Sequence, residues 1–146
     1  MRSVIMIFIA FLFSMSGLMA QNNTKAGVKK TQMHKIVFQM VSKDTADHNA
    51  MVRQLNNILK LSPGTKLEVV CHGPGLSFIH KDKSLVLNDL GALANQKVDF
   101  VACEFTMQQK NIKREQLLDQ CRTVPGGILE IVGKQEKGWS YIKAGY

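Results

Sequence analysis

Two strand ends in this chain carry residues that could do chemistry. Cys103 closes the apolar run Val98 to Cys103, and the stretch Phe105 to Lys110 behind it reads as a short helix. A sulfur at such a junction faces helix-start amides, which can lower a thiol pKa from ~8.5 into a range of ~3.5–7.5. Thr106 can cap that helix or donate a hydrogen bond to a thiolate or persulfide. Glu104 acts in the opposite sense, because a neighbouring negative charge disfavours a second anion. The competing reading of Cys103 is a small buried hydrophobe, a common fate of free cysteine.

The second strand end is Cys71-His72-Gly73-Pro74-Gly75. Adjacent strand residues point to opposite faces, so Cys71 and His72 are not expected to touch. His72 is expected to line a crevice while Cys71 packs inside. A Cys71–Cys103 disulfide is conceivable in an oxidising compartment, because both residues close strands. Cys121 ends an amphipathic segment and reads as core. No Cys or His pair has zinc-ligand spacing, so no metal is expected. Gly73-Pro74-Gly75 is a poor phosphate cradle, since such cradles use successive backbone N–H groups and Pro74 has none. The dinucleotide glycine pattern, the P-loop ending and the Gly-x-Ser-x-Gly elbow are all absent. No organic cofactor is expected, and ordinary hydrolase chemistry is disfavoured.

Apolar runs alternate with helical patterns from residue 35 onward. Ile36 to Val41, Leu67 to Cys71 and Val98 to Cys103 read as strands buried on both faces. Asp44 and Asp47 suit a helix N-terminus, and Met51, Leu55, Ile58 and Leu59 form one helical face. Ser62-Pro63-Gly64 ends that helix. Val86, Leu90, Leu93 and Ala94 share another face, His80 to Lys83 has no assignable structure, and Arg114 to Gln120 reads as a helix carrying Leu117 and Leu118. Thr123-Val124 is a short extended piece. Ile128, Ile131, Val132 and Gln135 mark the last helix, and Trp139 to Lys143 the closing strand. This order implies an α/β fold: a mostly parallel five-stranded sheet with helices on both sides. Ligands and chemistry gather beyond the C-terminal ends of such strands, where Cys71 and Cys103 fall.

The N-terminus has the layout of a secretory signal peptide. Arg2 supplies a positive start, Val4 to Phe13 an apolar run, and Leu18-Met19-Ala20 a cleavage region. Residues 1–20 are therefore expected to be removed, 21–33 to form a Lys-rich leader, and 34–146 to fold as one domain, periplasmic or secreted. No membrane association is expected after cleavage. Nineteen Lys and Arg against 11 Asp and Glu give a net charge of +8. No basic stripe interleaves with aromatics, so a solvated basic surface is expected and nucleic-acid binding is not. Three Cys in 146 residues are too few for a dense disulfide framework, and no internal repeat suggests a solenoid.

Four stretches together resemble the DsrE/DsrF-like sulfur-relay family. They are Ile36-Val37-Phe38-Gln39 with Asn56-Asn57-Ile58-Leu59, then Val69-Val70-Cys71-His72-Gly73-Pro74-Gly75, then Ala102-Cys103-Glu104-Phe105-Thr106-Met107, and finally Gln135 to Lys143 with its Gln-x-x-Gly-aromatic ending. The resemblance covers about residues 34 to 143. It implies a three-layer α/β/α fold of the flavodoxin- or Rossmann-like kind, assembled as a homo-oligomer (trimer or hexamer). It also implies that Cys103 accepts sulfur as a persulfide and passes it on without metal or organic cofactor, in exchange with a donor or acceptor protein. In that picture Thr106 and the helix amides hold the sulfur, and His72, Gly73 and Gly75 form the facing wall. The family's cytoplasmic relays work beside partner subunits, which an exported member would lack. The expected function is thus an exported persulfide carrier or thiol-reactive protein centred on Cys103. The alternatives are a non-catalytic module binding a small ligand or partner in the same crevice, and a purely structural oligomer.

Overall fold

The computed structural model describes residues 33–144. The expected signal peptide, and all of the leader except Met33, lie outside the described residues. Five strands, β1 (Lys35–Met40), β2 (Lys66–Cys71), β3 (Asp99–Cys103), β4 (Arg122–Val124) and β5 (Ser140–Ala144), form one sheet in the order β4-β3-β2-β1-β5. All four pairings are parallel, so the expected mostly parallel sheet is wholly so. The helices are α1 (Thr45–Leu61), α2 (Leu87–Asn95), α3 (Glu104–Gln109) and α4 (Gly127–Glu136).

Crossover handedness explains the layers. The sheet grows from β1 through β3 in one direction, and right-handed crossovers place α1 and α2 on one face. The return from β4 to β5 runs the other way, which puts α4 on the opposite face. Two cores result. Phe38, Val69, Cys71, Phe100 and Ala102 pack with Met51 and Leu55 of α1 and Leu90 and Leu93 of α2. On the other side, Val37, Val70, Val101 and Val124 meet Ile131 of α4, with Trp139 at the margin. Helix α1 starts where its sequence directs: Asp44 accepts the Ala46 N–H at 2.8 Å, a cap worth about 1 kcal/mol.

Three expectations change, and one unassigned stretch gains structure. The helix expected over Arg114 to Gln120 shrinks to a single 3₁₀ turn, Arg114–Gln116. The Arg114 guanidinium donates to the carbonyls of Leu118, Asp119 and Cys121, satisfying the loop backbone without helical bonds. Residues Gly73–Ile79 form a 3₁₀ segment, and His80 then makes an antiparallel bridge with Leu117. In α4, Gly127 and Ile131 are the buried pair, whereas Ile128 and Val132, expected to face the core, are exposed. Finally, a Cys71–Cys103 disulfide is not formed, and all three cysteines are free. Cys71 packs in the core under α1 and α2, whereas Cys103 lies against Gly127 on the α4 side. Alternation along the strands sends the two sulfurs to opposite faces of the sheet.

Candidate functional site

Cys103 is the last residue of β3 and the N-cap of α3, with extended backbone at φ −80°, ψ 115°. The neutral thiol makes no side-chain cap bond of ordinary geometry. The sulfur lies between the start of α3 and the start of α4, beside Thr106 and Gly127. Burial alone would raise the Cys103 pKa. The Gly127 N–H, the Thr106 N–H and hydroxyl, and the Phe105 N–H outweigh it and hold the thiol below its ordinary value. Thr106 is itself buried, and its Oγ1 accepts the Gly73 N–H at 3.0 Å, which leaves the hydroxyl proton for the sulfur. Glu104, expected to oppose a thiolate, accepts from the Thr123 hydroxyl at 2.6 Å. Cys103 is only 6% exposed, so the expected open crevice is a nearly closed one.

The covering element is the start of α4. A methyl placed on Gly127 would stand 3.2 Å from Cys103 Cβ, 3.2 Å from Val70 Cγ1 and 3.4 Å from His72 Cβ. Only glycine lets the helix come this close without displacing its neighbours. Gly127 was not apparent as a site residue in the sequence, where Pro125-Gly126-Gly127 reads as a loop. The available signal is a glycine pair directly ahead of an apolar helical run.

His72 shares the α4 side with Cys103 and is half-buried, and burial lowers its pKa. Burial thus favours the neutral imidazole. The Tyr141 hydroxyl donates to the Gln39 side-chain oxygen, and the Gln39 amide nitrogen lies 2.7 Å from His72 Nε2. With the Gln39 amide nitrogen turned toward the ring, Nε2 is the acceptor and Nδ1 bears the proton. Gln39 and Tyr141 are further residues the sequence did not single out as site residues. A glutamine in the otherwise apolar run Ile36 to Met40 was the visible hint.

The two glycines of the loop do different jobs. Gly73 takes a left-handed φ of +53° and aims its N–H at Thr106. Gly75 lies under β1: a Cβ there would sit 2.1 Å from the Met40 carbonyl oxygen, so it fixes the loop by close backbone approach. Cys103, His72, Gly73 and Thr106 thus come together, with Gly75 one layer behind. Cys71 is fully buried and its pKa is pushed well up, first by that burial and then by nearby Cys121. Cys121 is raised by burial as well. Of the three thiols, only Cys103 is shifted toward the thiolate. A cavity of about 590 Å³, which Cys103 does not line, is bounded by Glu104, Met107, Asn111 and Arg114 among others.

A family model described as the DsrE/DsrF-like family matches residues 24–144. The chain belongs to the DsrE/DsrF-like family. This is a sulfur-relay-type family, and the three-layer architecture with its five-stranded sheet agrees with it. Among solved structures, the chain is similar to a protein of unknown function, MTH1491, from Methanobacterium thermoautotrophicum. The likeness has 26% identity and a TM-score of 0.72, over 75% of this chain and 98% of the other. No curated protein matches the chain.

Proposed function

We propose that this protein is an exported persulfide carrier in which Cys103 bears the transferred sulfur. The observation that carries the reading is the place of Cys103 at the N-cap of α3, packed against Gly127 and beside the buried Thr106, a setting that favours its thiolate while burial disfavours ionisation of Cys71 and Cys121. The Cys103 thiolate attacks the outer sulfur of a donor persulfide. A new S–S bond forms, the donor S–S bond breaks, and the donor leaves as a thiolate. An acceptor thiolate then attacks the outer sulfur of Cys103 persulfide, and Cys103 returns to thiolate. No net oxidation occurs, and neither a metal nor an organic cofactor takes part. The Thr106 hydroxyl and the surrounding amides hold the charge, and neutral His72 offers a hydrogen-bond face.

Export rests on the N-terminal pattern of Arg2, Val4 to Phe13 and Ala20. Assembly as a trimer or hexamer is supported by Phe105, Ile128, Leu129 and Val132, apolar side chains exposed around the start of α4. Sizing the protein in solution tests it, and a monomer counts against it. Sulfur carriage is tested by intact-mass analysis after exposure to a polysulfide donor. The expected result is a gain of one sulfur that Cys103→Ser abolishes. An equal gain in that variant refutes the assignment.

The near closure of Cys103 favours a second reading, a non-catalytic module that holds a small ligand or partner against the Tyr141–Gln39–His72 chain. In that case Cys103 gains no sulfur, and a ligand raises the melting temperature in a manner lost on substitution of His72.

A further inference from the structure

Strand β2 carries an acidic residue inside the otherwise apolar run Leu67 to Cys71. Glu68 is fully buried on the α4 side, two residues before Val70. Its Oε2 lies 3.1 Å from Arg122 of β4 and also meets Lys134 of α4, while its Oε1 has no partner. The other charged groups facing it are Asp99 of β3, 2.9 Å from Arg122, and Glu130 of α4, 2.7 Å from Arg122. From β1 the neighbour in register is Val37, which carries no charge. Lys134 also lies over the Trp139 ring, 4.5 Å from its centroid.

Both ends of α4 thus meet the sheet at defined points. Gly127 at its start touches Cys103, and Lys134, about two turns later, reaches down to Glu68. Among the described residues, α4 is the helix that packs on this face. A buried ion pair contributes little net stability, because desolvation offsets the attraction, but it can fix a geometry.

We infer that Glu68 is a positioning residue for Cys103: by holding Lys134 and Arg122, it seats α4 so that Gly127 stays against Cys103. The inference rests on Cys103 being the reacting thiol. Glu68 is not itself a catalytic residue, since Val70 and the length of α4 separate it from the sulfur. Burial, opposed by Lys134 and Arg122, pushes the Glu68 carboxyl up to about 7. Its charge, and with it the grip on α4, therefore changes near neutral pH.

The sign of the effect separates seating from a direct field. Neutralising Glu68 removes one negative charge from beside Lys134 and Arg122, which keep Glu130 and, for Arg122, Asp99; the more positive field alone would lower the Cys103 pKa. Loosening of α4 withdraws a donor from the thiolate and raises it. The test is the pH profile of Cys103 alkylation, followed by peptide mapping in wild type and Glu68→Met, with Glu68→Gln used if the Met variant does not fold. Seating predicts a midpoint displaced to higher pH, with the rate at pH 7 reduced about fivefold and the rate at high pH unchanged. A midpoint that stays in place or moves down overturns the inference. If wild-type Cys103 already titrates as an ordinary thiol, the reading of Cys103 fails instead, so the two failures are distinguishable.

Discussion

Replacing Thr106 by Val keeps the side-chain volume and deletes one hydroxyl. That hydroxyl accepts the Gly73 N–H at 3.0 Å and donates toward Cys103, so two consequences follow from one atom. Stability falls because a buried bond is lost. Such a loss costs ~0.5–1.5 kcal/mol, and stranding the partner costs ~1–3 kcal/mol. Gly73 is only half-buried, so water recovers part of the bond, and about 1–2 kcal/mol is expected. The thiolate also loses a donor, so the Cys103 pKa rises. Urea unfolding measures the first effect as a lower midpoint at unchanged slope. The ultraviolet absorbance of the thiolate, followed against pH, measures the second. Thr106→Ser is the control: it keeps the hydroxyl and drops a methyl, costing about 0.8 kcal/mol with no change in the thiol. A Thr106→Val protein whose Cys103 titrates like wild type would refute the reasoning, as would a Ser variant shifted equally.

Glu68 makes stability depend on pH with a definite sign. Its carboxyl is raised from 4.5 to about 7 by burial, so the folded state holds its proton more tightly than the unfolded chain does. The contribution is complete below 4.5 and is lost as pH rises to about 7, a total of about 3 kcal/mol. Urea denaturation of wild type and Glu68→Gln at pH 5 and pH 8 should show most of that decline as an excess in wild type, and parallel behaviour would contradict it. Gly75→Ala should cost at least about 3 kcal/mol, because its Cβ would stand 2.1 Å from the Met40 oxygen. A melting temperature within a degree or two of wild type would show that the loop accommodates the methyl.

The three central strands were legible because a parallel sheet covered on both faces demands a nearly continuous apolar run, and Ile36 to Val41, Leu67 to Cys71 and Val98 to Cys103 provide it. Helix α1 was legible from its period and from Asp44. Cys103, His72 and Thr106 could be located because strand ends in such folds face the functional side. Gly127 could not, since its role is a close approach that exists only after α4 has crossed back over β3. The same crossing turned Gly127 and Ile131 inward and left Ile128 and Val132 in solvent. Arg114 hid its effect for a similar reason: three carbonyls gathered around one guanidinium replace a helix that periodicity alone suggests. Glu68 was visible as an acid inside an apolar strand, but its partners Arg122 and Lys134 are more than 50 residues away in the chain.

The central claim is that one thiol of three is poised as an anion. Site-resolved alkylation of Cys71, Cys103 and Cys121 in a single native sample, across neutral to alkaline pH, tests it most directly. Cys103 should react first, with a midpoint below that of an unperturbed cysteine, while Cys71 and Cys121 stay unmodified until the protein unfolds. Equal labelling of all three, or a Cys103 that reacts only once the fold is lost, would contradict the account.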